Sequence, residues 1–335
     1  MKAIIILRQD KKKWVESLGF NCHPAMVPIC NKPLLEYLID FMVLSQCASI
    51  TINMEIPSQE IQDYFGDGER FGTCISYMSI DKEEGIGRII EDNDIYSYCS
   101  SFPLIVLDGL FFIHYDKSVF NADWPQALDT GVLASCNSGN LLIIPNVQNL
   151  RNLSRINPGI PLSLSKMENI DDFVRINMEI LDAEQEHYIL PGYRQSQKIN
   201  FGKNVGIGEN VKIIPPVILG NYVRLQDNVR VGPHTVIGQN VILDEKSSVD
   251  RSIVLSNTYI GKNLGVSKKI IGGKKVINVQ NKDILEVEDY SLFSDLPNTV
   301  GFSLVTAIRK LMKQLKDSIN NFMPDFISSR FGGIS

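Results

Sequence analysis

The sequence predicts an α/β domain followed by a solenoid of short parallel strands and an amphipathic helix near the C-terminal end. Two observations carry this prediction. Strand-like apolar runs alternate with helical patterns over residues 1–182, and an apolar residue then recurs at every sixth position from Phe201. We place a linker at 183–198, the solenoid at 199–280 and a C-terminal extension at 281–335, with its amphipathic helix at 302–326.

The composition of the chain is that of an ordinary globular protein. Its 335 residues are 44% hydrophobic, and 33 Lys and Arg stand against 38 Asp and Glu, for a net charge of −5. This composition excludes a disordered protein and argues against nucleic acid as a partner. No apolar stretch reaches the ~18–20 residues that span a bilayer. The 6 cysteines all precede residue 137 and show no CxxC spacing, so we expect a reducing cytoplasmic compartment rather than disulfides or a zinc site.

The front half contains apolar runs separated by helical patterns. The runs are Ala3–Leu7, Ser49–Met54, Cys74–Ser79, Pro103–Leu107 and Leu141–Ile144. The clearest helix is Pro33–Cys47, with Pro33 as its first helical residue. This alternation predicts a mostly parallel sheet with helices on both faces, in which ligands bind beyond the carboxyl ends of the strands. We therefore look for chemistry after Leu7 and after Leu107.

The back half changes to a period of six residues. The apolar positions of this series are Phe201, Ile207, Ile213, Leu219, Leu225, Val231, Ile237, Leu243 and Val249. Glycine follows this series at several positions, and we expect it to relieve the backbone at the corner after each face. We also expect loops to protrude where the register slips, near Ser252–Thr258 and Val266–Lys269. The pattern resembles the hexapeptide repeats of left-handed parallel β-helices.

An α/β front half followed by a hexapeptide β-helix resembles the layout of the sugar-phosphate nucleotidyltransferases, such as the mannose-1-phosphate guanylyltransferases. The local likeness is best in Met1–Leu7 (MKAIIIL), His23–Tyr37 (HPAMVPICNKPLLEY) and Phe102–Gly109 (FPLIVLDG), and weaker in Ile170–Leu181. The resemblance implies that a sugar 1-phosphate attacks the α-phosphate of an NTP and expels pyrophosphate. It also implies a glycine-rich loop around the triphosphate, a cation, and carboxylates that hold Mg²⁺.

The phosphate-binding positions depart from the pattern of that family. The glycine-rich loop corresponds to Arg8–Lys13 (RQDKKK), which has no glycine, and Pro24 stands at the position of the family lysine. Lys12 and Lys13 are the candidate replacements for the arginine of the loop. A lysine there gives a point charge rather than a bidentate fork.

The nucleotide and metal positions are also altered. Gly85 and Gly87 remain from the base-binding segment, and Asp108 is the candidate for nucleotide, metal and catalytic contacts, although it precedes the family position by two residues. Lys166 stands where the second metal carboxylate is expected. Because loop, cation and metal positions are affected together, we predict that catalysis by this route is lost and that Mg²⁺ is needed only if the protein is active.

Three functions remain open at this point. In the first, the chain is a degenerate relative that binds a nucleotide or sugar nucleotide, or serves as an assembly subunit, in polysaccharide or glycoconjugate synthesis. In the second, it is an active, divergent nucleotidyltransferase. In the third, it is a hexapeptide-repeat acyltransferase. The last would use His234 as general base, although a structural histidine at a coil corner explains that residue too. We also expect a homo-oligomer formed through the β-helix, because open solenoids expose edges that proteins cover or pair.

The segment Phe302–Phe326 repeats apolar residues at helical spacing, with Arg309, Lys310, Lys313 and Lys316 between them. Such a basic amphipathic helix lies on an anionic membrane surface, docks on a partner helix or packs on its own protein. The first alternative would make the protein peripheral to the membrane.

Overall fold

The computed structural model of the chain describes residues 1–8, 13–92, 103–116, 118, 120, 124, 128–129, 131–136, 139–146, 162–183, 188–196 and 198–296. The predicted helix at 302–326 and Lys12 lie outside these residues. By its internal contacts the chain divides into a unit of Met1–Asp295 and a unit of Leu296–Ser335. None of the described helices is both long and apolar enough to cross a membrane.

The front half is an α/β structure. Its strands are β1 (Lys2–Leu7), β2 (Pro28–Ile29), β3 (Lys32–Pro33), β4 (Ser49–Met54), β5 (Cys74–Ser79), β6 (Leu104–Gly109), β7 (Phe111–Tyr115), β8 (Val132–Cys136), β9 (Gly139–Ile144) and β10 (Leu162–Lys166). Its helices are α1 (Lys13–Ser17), α2 (Leu34–Leu44), α3 (Gln59–Phe65), α4 (Ile86–Asp92) and α5 (Ile170–Asp182), with short 3-10 turns at Pro24–Met26 and Glu69–Phe71.

A six-stranded sheet in the order β5-β4-β1-β6-β9-β8 forms the centre of this half. The strands β5, β4, β1 and β6 run parallel, and β9 and β8 add an antiparallel edge. Along β1, Ile4 and Ile6 face Ile89 and Ile90 of α4, whereas Ile5 points into the larger core that contains α2. The predicted mostly parallel sheet with helices on both faces is confirmed.

Helix α2 differs from its prediction at both ends. Pro33 precedes the helix in an extended conformation, with ψ of 140°, rather than being its first residue. The helix ends at Leu44 instead of Cys47, because Gln46 has a left-handed φ of 63° that a right-handed helix cannot contain.

The back half is a β-helix with three faces. The first face is built from β12 (Ile199–Phe201), β15 (Val217–Leu219), β18 (Thr235–Ile237), β21 (Ile253–Val254) and β24 (Lys269–Gly272). The second contains β13 (Gly206–Ile207), β16 (Arg224–Leu225), β19 (Ile242–Leu243) and β22 (Thr258–Ile260), and the third β14 (Lys212–Ile213), β17 (Arg230–Val231), β20 (Ser248–Asp250) and β23 (Gly265–Ser267). Four further strands pair antiparallel at the ends of these sheets. They are β11 (Tyr193–Ser196), β25 (Lys275–Asn278), β26 (Ile284–Glu286) and β27 (Phe293–Asp295).

The register of the coils confirms the six-residue period and corrects one expectation. Parallel partners such as Ile199 and Val217 are one coil of three six-residue faces apart. Val236 pairs with Ile253 and Ile253 with Ile270, so each of these later coils is shorter by one residue. The register slips are therefore shortened corners and not protruding loops.

The glycines of the repeat have a role that differs from the predicted one. Gly202, Gly220 and Gly238 do not have positive φ angles; the left-handed positions are occupied mainly by other residues, such as Asn204 and Asn240. A Cβ atom on Gly220 would lie 2.6 Å from the carbonyl carbon of Gly238 in the next coil. Glycine is needed here because consecutive coils approach closely, and not because it relieves a turn.

Apolar side chains of the first face join the two halves into one core. Ile218, Val236, Ile253 and Ile270 point outward from the coils and belong to the same buried cluster as the α/β helices. A separate cluster, which includes Val217 and Leu219 as well as the remaining inward side chains, fills the coils. The boundaries between domains within Met1–Asp295 stay a prediction.

Candidate functional site

The crevice at the carboxyl ends of β1 and β6 is the position at which this topology favours a ligand. The chain leaves β1 toward β4 and β5 on one side of the sheet, and then returns to place β6 on the other side. In open α/β sheets, ligands bind where the strand order reverses in this way. Arg8 follows β1 directly, and Asp108 lies opposite Ile6 in β6, so both residues are at this point.

An ion pair spans the crevice. Arg8 donates a hydrogen bond from Nε to Oδ1 of Asp108 at 2.8 Å, and from Nη1 and Nη2 to the carbonyl oxygen of Glu84 at 3.3 Å each. The Asp108 side chain is mostly buried, at 13% exposed, and that of Arg8 is 31% exposed. One guanidinium therefore connects the ends of β1 and β6 with the segment before α4.

The Glu84 segment is organised by its own hydrogen bonds. The Glu84 carboxylate accepts a hydrogen bond from the backbone N–H of Asp81 at 3.0 Å and lies 3.5 Å from Nε of Arg88. The carbonyl of Gly85 accepts the first backbone hydrogen bonds of α4. A Cβ atom on Gly85 or on Gly87 would meet nothing within 4 Å, so the described fold does not itself require glycine at either position.

The residues around Asp108 do not match what Mg²⁺ requires. Magnesium prefers octahedral oxygen ligands, and the Oδ1 atom of Asp108 is already bonded to a guanidinium. Lys166 pairs instead with Glu168, its Nζ 3.6 Å from Oε2. The described residues contain no group of three or more His, Cys, Asp or Glu side chains that could hold a metal ion. A metal-binding role for Asp108 stays a prediction, and we derive no step through the ion.

The other candidate residues lie in different surroundings. Lys13 is the exposed first residue of α1. His234 occupies a left-handed corner of the β-helix with φ of 51°, and its Nε2 atom lies 2.9 Å from Oδ1 of Asp182 at the end of α5. The imidazole thus contacts the α/β half, and its role as a general base stays a prediction.

Arg8 is the crevice residue that the sequence analysis missed. The lysines of Arg8–Lys13 were the predicted cations. An arginine that directly follows a buried central strand is itself a signal for a ligand-binding side chain at the sheet edge. Its partner Asp108 is 100 residues away, so the ion pair could not be read from local spacing.

A second polar cluster lies between β7, β10 and α5. Nε2 of His114 lies 2.8 Å from Oγ of Ser165, and Tyr188 OH lies 3.4 Å from Nδ1 of His114. Arg175 donates to Ser165 Oγ at 3.2 Å and to Glu179 at 3.1 Å. Burial lowers the pKa of His114 below its usual value; the charge of Arg175 acts in the same direction, and that of Glu179 opposes it.

Comparison with known proteins relates the chain to one family model and to one curated sequence. Residues 213–295 match the family model of the GMPPB C-terminal domain. A UTP–glucose-1-phosphate uridylyltransferase from a Synechocystis species is 35% identical over 77 residues, which are 23% of this chain and 20% of that protein. The chain thus matches about a fifth of the length of that relative. The two matches confirm the resemblance to the sugar-phosphate nucleotidyltransferases, and the first also supports the left-handed β-helix.

Proposed function

We propose that this chain, a relative of the sugar-phosphate nucleotidyltransferases, binds a nucleotide or a sugar nucleotide in the crevice beside Arg8 without transferring the nucleotidyl group. The observation that carries the proposal is the 2.8 Å hydrogen bond between Arg8 Nε and Asp108 Oδ1 at the switch point of the sheet. The setting we propose is polysaccharide or glycoconjugate synthesis, with the chain as a binding or assembly subunit.

The loss of transfer follows from the charges at the crevice. The resemblance implies that carboxylates hold Mg²⁺ against the transferring phosphate. Here the guanidinium of Arg8 compensates the charge of Asp108, and Lys166, which pairs with Glu168, stands at the position expected for the second carboxylate. Removing a single preorganised electrostatic group from an active site costs about 10²–10³ in rate, so several such changes remove turnover.

The same arrangement supports the binding of an anion. The three hydrogen bonds of Arg8 use three of the five N–H groups that a guanidinium carries, and the other two can donate to a phosphate oxygen. Arg8 is partly exposed, and the open space beside Gly85 and Gly87 lets a ligand approach the backbone. A phosphate there would be bound by Arg8 in the role that a divalent cation has in relatives.

The proposal is tested by thermal unfolding of the full chain with NTPs and NDP-sugars, each with Mg²⁺ and with EDTA. A ligand at about 100 times its Kd stabilises the native state by about 2.7 kcal/mol. We expect at least one nucleotide or sugar nucleotide to raise the melting temperature equally in Mg²⁺ and EDTA, and Arg8→Gln to remove that shift. Lys203→Gln, which changes an exposed lysine of the β-helix, is the control for a general loss of charge. No shift with any ligand contradicts the proposal.

An assembly role is proposed from the N-terminal end of the β-helix. On the first face, β11 covers β12, whereas β13 and β14 are the edge strands of their sheets among the described residues. Ile207 belongs to the inward apolar series, yet 51% of it is exposed. Because open edges with apolar residues pair with other chains, we expect a homo-oligomer at this end. Light scattering at micromolar concentration should give a mass above that of one chain, reduced by Ile207→Lys; a monomeric wild type contradicts this expectation.

The C-terminal extension adds a further proposal about location. We expect a cytoplasmic protein in which the basic segment 302–326 contacts a membrane surface, a partner helix or its own protein. Flotation with anionic liposomes that weakens in high salt supports the first of these contacts. If flotation is absent, a lower melting temperature after deletion of 302–335 indicates that the segment packs on its own protein. If the deletion changes neither liposome binding nor the melting temperature, the amphipathic interpretation is wrong.

A further inference from the structure

A cavity opens on the third face of the β-helix, away from the crevice of Arg8. It has a volume of about 290 Å³ and is lined by Arg230, Gly232, Pro233, Ser248, Val249, Asp250 and Arg251. These residues come from two consecutive coils, at the end of β17 and at the end of β20. The volume lies just below the range of sites for drug-sized molecules, about 300–1,000 Å³, and so suits a smaller ligand.

The cavity has an identifiable origin in the coil lengths. The corner after β17 has the full length, and the corner after β20 is one residue shorter, because Val236 pairs with Ile253. A long corner beside a short one leaves a step on the surface of the solenoid. Gly232, with φ of 95°, lines this step without a side chain, and a Cβ atom there would lie 1.9 Å from the carbonyl oxygen of Ile214.

Arg230, which lines the cavity, lies beside a second positive charge. Lys212 and Arg230 are register partners on two neighbouring parallel strands, and both residues are exposed. Neighbouring strands of a sheet lie about 4.8 Å apart. Within the described part of the chain, neither side chain has a carboxylate within 4.0 Å. Like charges directly opposite each other on adjacent strands repel, and a bound anion would relieve the repulsion.

The remaining polar groups of the cavity suit a ligand with hydroxyl groups as well as an anion. The contact between Arg251 and Asp250 is long, with 3.5 Å between Nη1 and Oδ2. Ser267 Oγ donates a shorter hydrogen bond, of 2.8 Å, to the same Oδ2 atom. Two guanidinium groups therefore accompany a single carboxylate. Arginine binds phosphate in a bidentate manner, and carboxylates and serine hydroxyls accept hydrogen bonds from sugar hydroxyls.

We propose that this cavity, the Arg230–Arg251 cavity, is a second binding site of the chain and takes a small phosphorylated sugar. Arg230 and Arg251 hold the phosphate, and Asp250 and Ser248 accept hydrogen bonds from the sugar hydroxyls. The site does not depend on the proposed function of the crevice, because it shares no residue with it. It would let the β-helix sense a sugar phosphate independently of any ligand bound to the α/β half.

The test is calorimetric titration of the full chain with glucose 1-phosphate, glucose and inorganic phosphate. We expect glucose 1-phosphate to bind more tightly than phosphate, glucose to give no measurable heat, and added salt to weaken the binding. Arg230→Gln and Arg251→Gln should each weaken glucose 1-phosphate by about tenfold or more, since hydrogen bonds to charged groups contribute strongly. Arg224→Gln is the matched control, because Arg224 points outward from the second face.

Several outcomes would overturn the proposal. The proposal is wrong if millimolar glucose 1-phosphate does not bind. It is also wrong if the wild type and both cavity variants bind glucose 1-phosphate with equal affinity. Equal affinity for inorganic phosphate and glucose 1-phosphate would show that the cavity does not recognise the sugar. Binding that is lost in Arg8→Gln and kept in Arg230→Gln assigns the ligand to the crevice instead. Melting temperatures of all variants are measured first, and Ser248→Ala provides a further cavity variant if either arginine variant fails to fold.

Discussion

Arg8 and Asp108, at the ends of two neighbouring parallel strands, form an ion pair whose Nε–Oδ1 distance is 2.8 Å. The carboxylate that is the candidate for a metal contact is thus bound by a cation of the chain itself. This relationship supports the proposal that the crevice binds a ligand without metal-dependent transfer.

The inward series of the β-helix predicts the effect of a buried charge. Val217 is fully buried among the coils, so Val217→Asp places an unpaired carboxylate in an apolar interior and should prevent the chain from folding. Lys203→Asp, which introduces the same side chain at an exposed position of the first coil, should fold normally. Circular dichroism and gel filtration check both variants, and a well-folded Val217→Asp protein would show that the inward register is wrong.

Close stacking of the coils predicts different effects for two glycines. Gly220→Ala should lower the free energy of unfolding by about 1–3 kcal/mol, because its Cβ atom would overlap the backbone of the next coil. Gly265→Ala should have little effect, since the nearest atom to its Cβ position is Ser248 Oγ at 3.5 Å. Urea denaturation of both variants measures the difference. Equal stabilities would contradict the role assigned to the glycines.

The buried ion pair between Lys32 and Asp40 predicts non-additive mutations. Nζ of Lys32 donates to Asp40 and, at 2.8 Å, to the carbonyl oxygen of Ile189, and the lysine is 3% exposed. Lys32→Met should cost about 3–5 kcal/mol of unfolding free energy, because it removes the cation that donates to the buried Asp40 carboxylate. Adding Asp40→Leu should recover part of that loss. Urea denaturation of both single variants and the double variant checks this, and strictly additive losses would argue against coupling.

The surroundings of His114 predict a dependence of stability on pH. Burial lowers the pKa of His114 in the folded state, so the unfolded chain binds a proton more readily when the pH falls below about 6.5. The contribution of this group to stability is therefore fully present above that pH and is lost progressively as the pH falls through the folded-state pKa. Urea midpoints between pH 7.5 and 5 should fall more steeply in the wild type than in His114→Asn. Parallel curves would contradict the assignment.

Local patterns were sufficient to predict the elements but not every role within them. The strand β4 matches its apolar run, and Val217 and Leu219 lie inside the coils as the six-residue period requires. These predictions are confirmed because strands and coils follow from the alternation of apolar and polar residues along a short stretch of chain.

Features that depend on distant parts of the chain were missed. The ion pair of Arg8 needs a partner from another strand, and the role of Gly220 depends on the backbone one coil away. Helix α2 ends before the predicted Cys47 because Gln46 is left-handed, and neither glycine nor proline marks this turn in the sequence. In each case a tertiary contact or a single backbone angle decided the outcome, and neither can be read from periodicity.

Pyrophosphate release is the measurement that distinguishes ligand binding in the crevice from nucleotidyl transfer. The full chain is given sugar 1-phosphates, Mg²⁺ and each common NTP, with Asp108→Asn measured in parallel. Because Arg8 already neutralises the carboxylate, both proteins should release pyrophosphate only at the background rate. Turnover above background in the wild type that Asp108→Asn abolishes would contradict binding without transfer and establish Asp108 as a catalytic metal ligand.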